Sequence, residues 1–334
     1  MSNEELRMQA RAMFPAAGRG EGMYESFYLR AVAPDEPVGA WIRYTVHKRP
    51  GEEALGSLWC TIFDARKGGP FMHKVTLASP MAAGNGDWIA IGDARLGPEE
   101  ATGSCGEARW SLGLQARAQE LRHLTGGWMY RGRLPRTKPT SPSPDVRFSG
   151  TIELGDRPAL RLDGWRGMVG HNWGAEHAER WIWLHGIDFE GEERAWLDVA
   201  IGRIVVGGRL TPWVANGAVS LRGRRIRLGG LLRRGVRVRE SAAGCEVQLP
   251  GAGGAKVIAR LRVPAESAAG WRYADPDGSE HEVVNCSVAA VELEVSPGDG
   301  TPTRTLSSDH GGVYELGMRP VEAHGVALAP FADG

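Results

Sequence analysis

The sequence predicts an all-β fold: two antiparallel β-barrels packed side by side, with few short helices. Three observations carry that prediction. Glycine and proline are abundant, 47 and 20 of 334 residues, and punctuate the chain at intervals suited to turns between short strands. The segments between them alternate apolar and polar residues with a period of two, as strands with one buried face do. Helical periodicity is confined to the N-terminal residues and to residues 108–120.

The elements follow in order. MSNEELRMQARAMFP, residues 1–15, is charged and lacks an apolar run, so it reads as a short surface helix and not as a secretory leader. AWIRYTV, residues 40–46, puts Trp41, Arg43 and Thr45 on one face and Ile42, Tyr44 and Val46 on the other. Residues 58–63, 181–187, 195–201, 236–239, 256–263 and 283–295 read the same way. TKPTSPSPD, residues 137–145, reads as a long loop inside the first unit, because proline removes a ladder donor and serine favours turns. Strand-like residues 146–154 and 159–163 then complete the first sheet. The polar, helix-like patch 176–180 is the expected boundary. It gives units at 20–178 and 179–330, each the size of an eight-stranded barrel that holds one small ligand.

Composition narrows the function. The formal net charge is zero, which argues against nucleic acid as a partner, since phosphate binding shows as a basic excess. No apolar run reaches the ~20 residues that span a bilayer. Cys60, Cys105, Cys245 and Cys286 are far apart and form no CxxC pattern. They read as reduced, buried small hydrophobes, and the expected location is cytoplasmic. Eight arginines between Arg222 and Arg239 read as a solvated sheet face, with a polyanion patch as the minority alternative. No nucleotide-binding or serine-hydrolase motif stands in a strand–helix context, so no cofactor is expected.

The chemistry concentrates in LDGWRGMVGHNWGAEHAERWIWLHGID, residues 162–188, which holds Trp165, Trp173, Trp181 and Trp183 with His171, His177 and His185. Tryptophan walls with a few polar groups make up many small-molecule sites, and histidine moves protons near neutral pH. Strand alternation aligns Trp181, Trp183, His185 and Ile187 on one face, either toward a cavity or as a core row with a satisfied histidine. His171, Asn172 and Trp173 lie between Gly170 and Gly174 and read as a turn at the junction of two barrels. Glu25, Asp64 and Asp198 sit in strand-like apolar surroundings. A carboxyl buried there has a raised pKa and can act as a general acid, or it pairs with an arginine such as Arg30 or Arg43. His171, His177 and His185 with Glu176 and Asp188 fit no zinc spacing, so no metal is expected.

The motif GMVGHNWGAEHAERWIWLHG resembles the central motif of the tocopherol cyclase-like and carotenoid hydratase-like (hydroxyneurosporene synthase, AttH-like) lipocalin superfamily. YESFYLRAVAPDEPVGAWIRYTVHKRP and GSLWCTIFDA resemble its first strands; WRYADPDGSEHEVVNCSVAAVELEV and VYELG resemble its last. The resemblance covers residues 24–317 and implies two lipocalin-like barrels with the motif near their junction. It implies prenyl- or polyene-directed cyclase or hydratase chemistry, and it carries over His171, Asn172 and Trp173 as motif residues. An acidic residue often precedes the motif histidine in those proteins, whereas Gly170 does so here, so the proton donor does not carry over. The reading is a cofactor-independent cyclase, isomerase or hydratase for a hydrophobic isoprenoid or polyketide-like ligand. His171, His185, Asp198 and Glu25 are the candidate proton carriers; Asn172, Trp173, Trp181, Trp183, Trp41 and Tyr44 are the candidate contacts. The alternative is a non-catalytic carrier or stress-related protein for such a ligand.

Overall fold

A computed structural model describes residues 10–82, 84, 86–231, 233–320 and 324–331, and the chain is nearly all β. The first sheet contains β1 (Met23–Val32), β2 (Val38–Lys48), β3 (Leu55–Asp64), β4 (Phe71–Ala78), β5 (Ile89–Ile91), β6 (Ala94–Leu96), β7 (Glu100–Cys105), β8 (Ala108–Ala116), β9 (Leu121–Arg122), β10 (Thr137–Leu154) and β11 (Arg157–Gly174). Its order is β4-β3-β2-β1-β11-β10-β8-β7-β6-β5, with β9 on β10, a nearly closed barrel. A single α-helical turn, α1 (Gly127–Arg131), precedes β10. The second large sheet contains β12 (Arg180–Gly186), β13 (Trp196–Arg203), β16 (Val214–Leu221), β17 (Arg224–Gly229), β18 (Arg237–Ser241), β19 (Gly244–Pro250), β20 (Lys256–Arg262), β21 (Ala269–Ala274), β22 (Glu280–Ser296) and β23 (Arg304–Met318). Its order is β17-β16-β13-β12-β23-β22-β20-β19-β18, with β21 on β22. A small hairpin, β14 (Val205–Val206) with β15 (Arg209–Leu210), stands apart. A bridge between Leu228 of β17 and Gly251, just past β19, links an edge strand of the second sheet to the far side of its order.

Alternation sets which face each residue occupies. Ile42, Tyr44 and Val46 of β2 join Phe27, Leu29 and Ala31 of β1 in the core inside the first sheet. Trp41 points the other way, into the core shared with the second sheet. Tyr44 is satisfied inside: its hydroxyl lies 3.0 Å from the Arg95 carbonyl and 2.9 Å from that of Thr102, and accepts from Trp110 Nε1 at 2.7 Å. The four cysteines are buried and unpaired. Val236 and Val238 pack on the second core while Arg237 and Arg239 are exposed, but Arg225 and Arg227 of the same arginine run are half-buried and donate to the carbonyls of residues 119, 120, 122 and 123, so the solvated face is only part of it.

Several expectations are corrected. Residues 108–120 contain β8, not a helix; Ala108, Trp110, Leu112 and Leu114 face the core with polar or glycine positions between them, a period of two and not 3.6. The proline-rich stretch belongs to β10. Its pairing with β11 shifts register between Thr140 and Ser143 and between Ser143 and Val146, so Pro142 and Pro144 fall at irregularities where no ladder N–H is needed. Residues 170–174 are the end of β11, paired with Tyr24–Tyr28 of β1, not a turn. The glycines serve close approach there. A Cβ on Gly170 would stand 2.1 Å from the Tyr28 ring, and one on Gly174 1.9 Å from the Arg136 carbonyl oxygen. Residues 176–179 form an extended connector and not a helix. The expected N-terminal helix falls mainly on residues 1–9, outside the described residues; Phe14–Ala16 is a single 3-10 turn. Among the described residues no helix is long and apolar enough to cross a membrane.

The outward face of β1 and β11 is buried by the second sheet. Tyr28, Met168, Trp183 and Val313 form a small apolar cluster between the sheets, and Tyr28 meets Trp183 edge-on at 5.0 Å. Tyr28 needs the hydrogen of Gly170 beneath it to reach that position. Gly170→Val is therefore expected to destabilise the protein by roughly 1–3 kcal/mol, the range for overpacking, read as a lower urea midpoint at constant slope. A midpoint unchanged within error would mean that the ring has another place to go.

Candidate functional site

Inside the first sheet, β1 and β11 bring Glu25 and His171 together. Phe27 pairs with His171 and Glu25 with Trp173 in the antiparallel register, so all four side chains share the inner face. His171 Nε2 lies 2.7 Å from Glu25 Oε1, and both side chains are buried. Glu25 also accepts the backbone N–H groups of Met13 and Phe14, each at 2.8 Å. The imidazole is stacked against Phe27 at 3.8 Å and against Trp173 at 4.7 Å. Phe27 in turn stacks at 5.8 Å on Trp88. Trp88 and Val169 help line a pocket of about 230 Å³, partly open to solvent, with Leu114, Val146 and Pro142. The wall is mostly apolar, with Ser143, Gln115 and Glu99 as its polar members.

A second constellation lies between the sheets. Asp198 of β13 is fully buried. Its Oδ1 accepts from Trp183 Nε1 at 3.1 Å and faces His123 Nε2 at 3.2 Å; its Oδ2 accepts from Ser141 Oγ at 2.5 Å. Burial pushes this carboxyl up, but His123, His185 and Ser141 outweigh it and hold it down at about 2. Asp198 is thus an ion at neutral pH and accepts hydrogen bonds, whereas a general acid must carry a proton. His185 donates from Nε2 to the Pro144 carbonyl at 3.0 Å. Burial first, then the nearby Arg30 charge, lower its pKa to about 4, so the ring is neutral. Trp183 and His185 therefore face the first sheet, while Ile182, Leu184 and Ile187 fill the interior of the second. The Trp/His row looks into the junction and not into the second sheet.

The same junction holds groups that single-segment reading misses. Arg43 of β2 lies over the rings of Trp41, Trp59 and Tyr273 at 5.1, 5.0 and 4.3 Å and donates to Ser26 Oγ at 3.0 Å. Glu315 accepts from Trp181 Nε1 at 3.0 Å, Tyr273 at 3.2 Å and Asn285 at 3.1 Å. Arg30 is fully buried without a carboxylate partner; it donates to the Ser287 and Gly312 carbonyls at 2.9 and 3.3 Å, and burial lowers its pKa to about 9. Arg43 was visible as an alternating residue beside Trp41 and as a possible carboxyl partner; its place over three aromatic rings was not. Glu315 and Ser287 lie over a hundred residues from the motif, and no local pattern links them to it.

The structure thus sorts the expected residues into groups. Glu25, His171 and Trp173 meet inside the first sheet, where Tyr44 also points but is held by its own core partners. Trp41, Trp181, Trp183, His185 and Asp198 lie on the junction side. Asn172 alternates outward from His171 on β11 and shares that side. Asp64 is bound by its neighbours Arg66 and Lys67 at 2.9 and 3.1 Å near the surface, away from both groups.

No family model matches the chain. An uncharacterized protein of Mycobacterium tuberculosis is 27% identical over 93% of this chain and 91% of its own length. Among solved structures, an AttH-type protein of Nitrosomonas europaea has a TM-score of 0.56 at 14% identity, covering 93% of this chain and 98% of that one. CghA gives 0.57 at 13% over 94% of each chain. Kievitone hydratase from Nectria haematococca gives 0.54 at 10% over 93% of each. At these identities the likeness is one of fold, and it runs the length of both sheets.

The two buried junction groups set an acid limit on stability. An unfolded histidine takes up a proton near 6.5, whereas folded His185 does so only at about 4. The unfolded state therefore binds more protons between these values, and stability falls as pH drops through that window, by up to about 3 kcal/mol. Asp198, lowered from 3.8 to about 2, extends the loss in the same direction at lower pH. His185→Gln is expected to flatten the limb between pH 6.5 and 4 in urea titrations. Parallel curves for the two proteins would remove His185 from the effect. At pH 7, Asp198→Ala is expected to cost about 3–5 kcal/mol, as when one partner of a buried polar cluster is deleted; a loss under about 1 kcal/mol would show that the clasp is dispensable.

Proposed function

We propose that this protein is a cofactor-independent enzyme of the cyclase, isomerase or hydratase type. Its substrate is a hydrophobic, isoprenoid- or polyketide-like small molecule, and it works by general acid/base catalysis against an apolar, aromatic wall. The observation that carries this reading is the buried His171–Glu25 pair at 2.7 Å, stacked between Phe27 and Trp173 on the inner face of the first sheet. A histidine oriented by a carboxylate is the usual arrangement for moving a proton. The fold likeness to kievitone hydratase agrees with this choice of chemistry. In this reading residues 20–178 and 179–330 are the two units of the chain, and the first carries the acid/base pair.

The division of labour follows from the contacts. Glu25, pinned by the N–H groups of Met13 and Phe14, fixes the ring through Nε2 and stabilises the imidazolium. Nδ1 is then the atom that gives or takes the substrate proton. Protonation of an alkene carbon by His171 leaves a carbocation. Protonation leaves the His171 ring neutral; ring closure or attack by water follows, and loss of a proton back to His171 restores the imidazolium. Trp173 faces the developing cation, an attraction of about 1–2 kcal/mol when desolvated. The cavity, about 230 Å³, is below the ~300 Å³ of drug-sized pockets, so it seats one segment of the substrate. A substrate approaching His171 from that cavity must displace the Phe27 ring.

A second reading, a non-catalytic carrier, draws on Glu25 itself. Its carboxylate is occupied by two backbone donors as well as by His171, which suits an anchor for residues 13–14. Organic extraction of the purified protein with mass spectrometry identifies what co-purifies, and that compound and its dehydrated or uncyclised precursors then serve as assay substrates. His171→Ala is expected to lower turnover by about 10²–10⁴-fold when assayed on protein that circular dichroism shows to be folded at the assay temperature, and Glu25→Gln to follow it. A ligand that is bound and returned unaltered by the wild type, or turnover untouched in His171→Ala, decides for the carrier.

A further inference from the structure

On the junction side of β1, back to back with Glu25, three side chains form a group that the acid/base reading does not use. His177 lies in the connector between the sheets, Asp275 directly follows β21, and His281 is near the start of β22. One potential ligand atom from each lies within 4.8 Å of the other two. His177 Nδ1 is 2.7 Å from Asp275 Oδ1, and the His177 backbone N–H reaches the same oxygen at 2.8 Å. His281 Nδ1 is 3.6 Å from Asp275 Oδ2. His281 is completely buried, yet neither of its ring nitrogens makes a well-formed hydrogen bond; the Ala178 backbone approaches it without closing one. A buried imidazole with both nitrogens unsatisfied is costly unless a ligand completes it.

We propose that His177, Asp275 and His281 bind a divalent late transition-metal ion of the Zn²⁺ type. Two imidazoles and one carboxylate are a donor set such ions accept, and three protein ligands leave a fourth position for water or a ligand oxygen. Zinc bonds of ~2.0–2.2 Å set donor–donor spacings of about 3.3–3.6 Å, so the 2.7 Å contact of His177 with Asp275 must open while donor pairs farther apart, all within 4.8 Å, close. Ligation by His177 through Nδ1 moves its ring proton to Nε2 and leaves the imidazole neutral. Both rings must be neutral to ligate an ion, and the nearby Arg319 is an opposing charge. Arg319 is itself paired with Glu179 at 3.1 Å and Glu176 at 3.9 Å.

The surroundings hold the rings in place. Tyr24 stacks on His177 at 3.9 Å and Trp181 at 5.3 Å on its other contact, while Trp181 meets His281 edge-on at 5.1 Å. Asp275 is fixed by the hairpin between β21 and β22, where its N–H donates to the Ser279 carbonyl at 2.7 Å. An ion here ties the inter-sheet connector to the second sheet. The 98-residue separation of His177 and Asp275 is why no local spacing reveals the site.

The test uses the full-length protein after dialysis against a chelator. Titration with Zn²⁺ is expected to give one ion per chain by calorimetry and elemental analysis, with a rise of several degrees in melting temperature from binding the native state. Co²⁺ should give visible d–d bands of a low-coordinate nitrogen–oxygen site. His281→Asn and Asp275→Asn are expected to weaken Zn²⁺ binding at least 100-fold. His324→Asn, at the separate His324–Glu282 pair, should bind as the wild type does. Absence of stoichiometric uptake or of the Co²⁺ bands in the wild type overturns the site without requiring any variant to fold. Undiminished binding by folded His281→Asn does so as well. None of these readouts uses a substrate, so they stand or fall apart from the acid/base reading.

Discussion

Strand β1 is buried on both faces along its whole length, and the rest of the arrangement depends on that constraint. A strand in a barrel wall normally shows one face to water. Here the second sheet replaces the water, so each polar side chain on β1 requires a specific partner. Inward, Glu25 is satisfied by His171 and by the chain at 13–14. Outward, Tyr24 donates to Thr137, Ser26 accepts from Arg43, and Arg30 reaches across to two carbonyls of β22 and β23. Alternation along ten residues thus produces two chemically different surfaces from one strand.

The junction is correspondingly specific. An apolar contact such as Tyr28 on Trp183 tolerates small slips, but a carboxylate that accepts from Ser141 on one sheet and Trp183 on the other does not. Deleting Ser141 or His123 would leave Asp198 a buried charge short of partners, a state costlier than the pairing is favourable. The proline-rich start of β10 supplies several of these contacts. Its irregular pairing frees Ser141 Oγ for Asp198 and the Pro144 carbonyl for His185. Asp145 meets Arg166 at 3.0 Å in the same stretch.

This explains how far the sequence could be read. The period-two pattern of AWIRYTV was sufficient to place Trp41, Arg43 and Thr45 opposite Ile42, Tyr44 and Val46, because alternation is a local property of the backbone. The motif histidine and Glu25 were both identifiable as candidates, although 146 residues separate them, since each stands out by residue type in an apolar strand. What could not be read was which face looks where. Prolines at 139, 142 and 144 signal a loop when no partner strand is known, and only the register with β11 shows Pro139 paired and Pro142 and Pro144 accommodated at irregularities. Gly170 and Gly174 signal a turn until Tyr28 and the Arg136 carbonyl are seen lying against them. Trp183 and His185 were correctly aligned on one face, but the alternation of a strand cannot say that this face meets another sheet.

The adjacency of Tyr24 and Glu25 has a final consequence. Tyr24 stacks on His177 at 3.9 Å while Glu25 holds His171 at 2.7 Å on the opposite side of the same strand. The proposed ion site and the proposed acid/base pair therefore share one stretch of backbone but no side chain and no solvent space. A shift of β1 along its axis would move both. A charge gained at the His177 group would act on Glu25 across only the thickness of one strand, where the interior dielectric screens weakly. A bound cation would hold β1 in the register on which that pair depends. Through Tyr24 the connector at 175–179 is mechanically linked to the inner face of the first sheet, so two groups a hundred residues apart in sequence bear on the same imidazole.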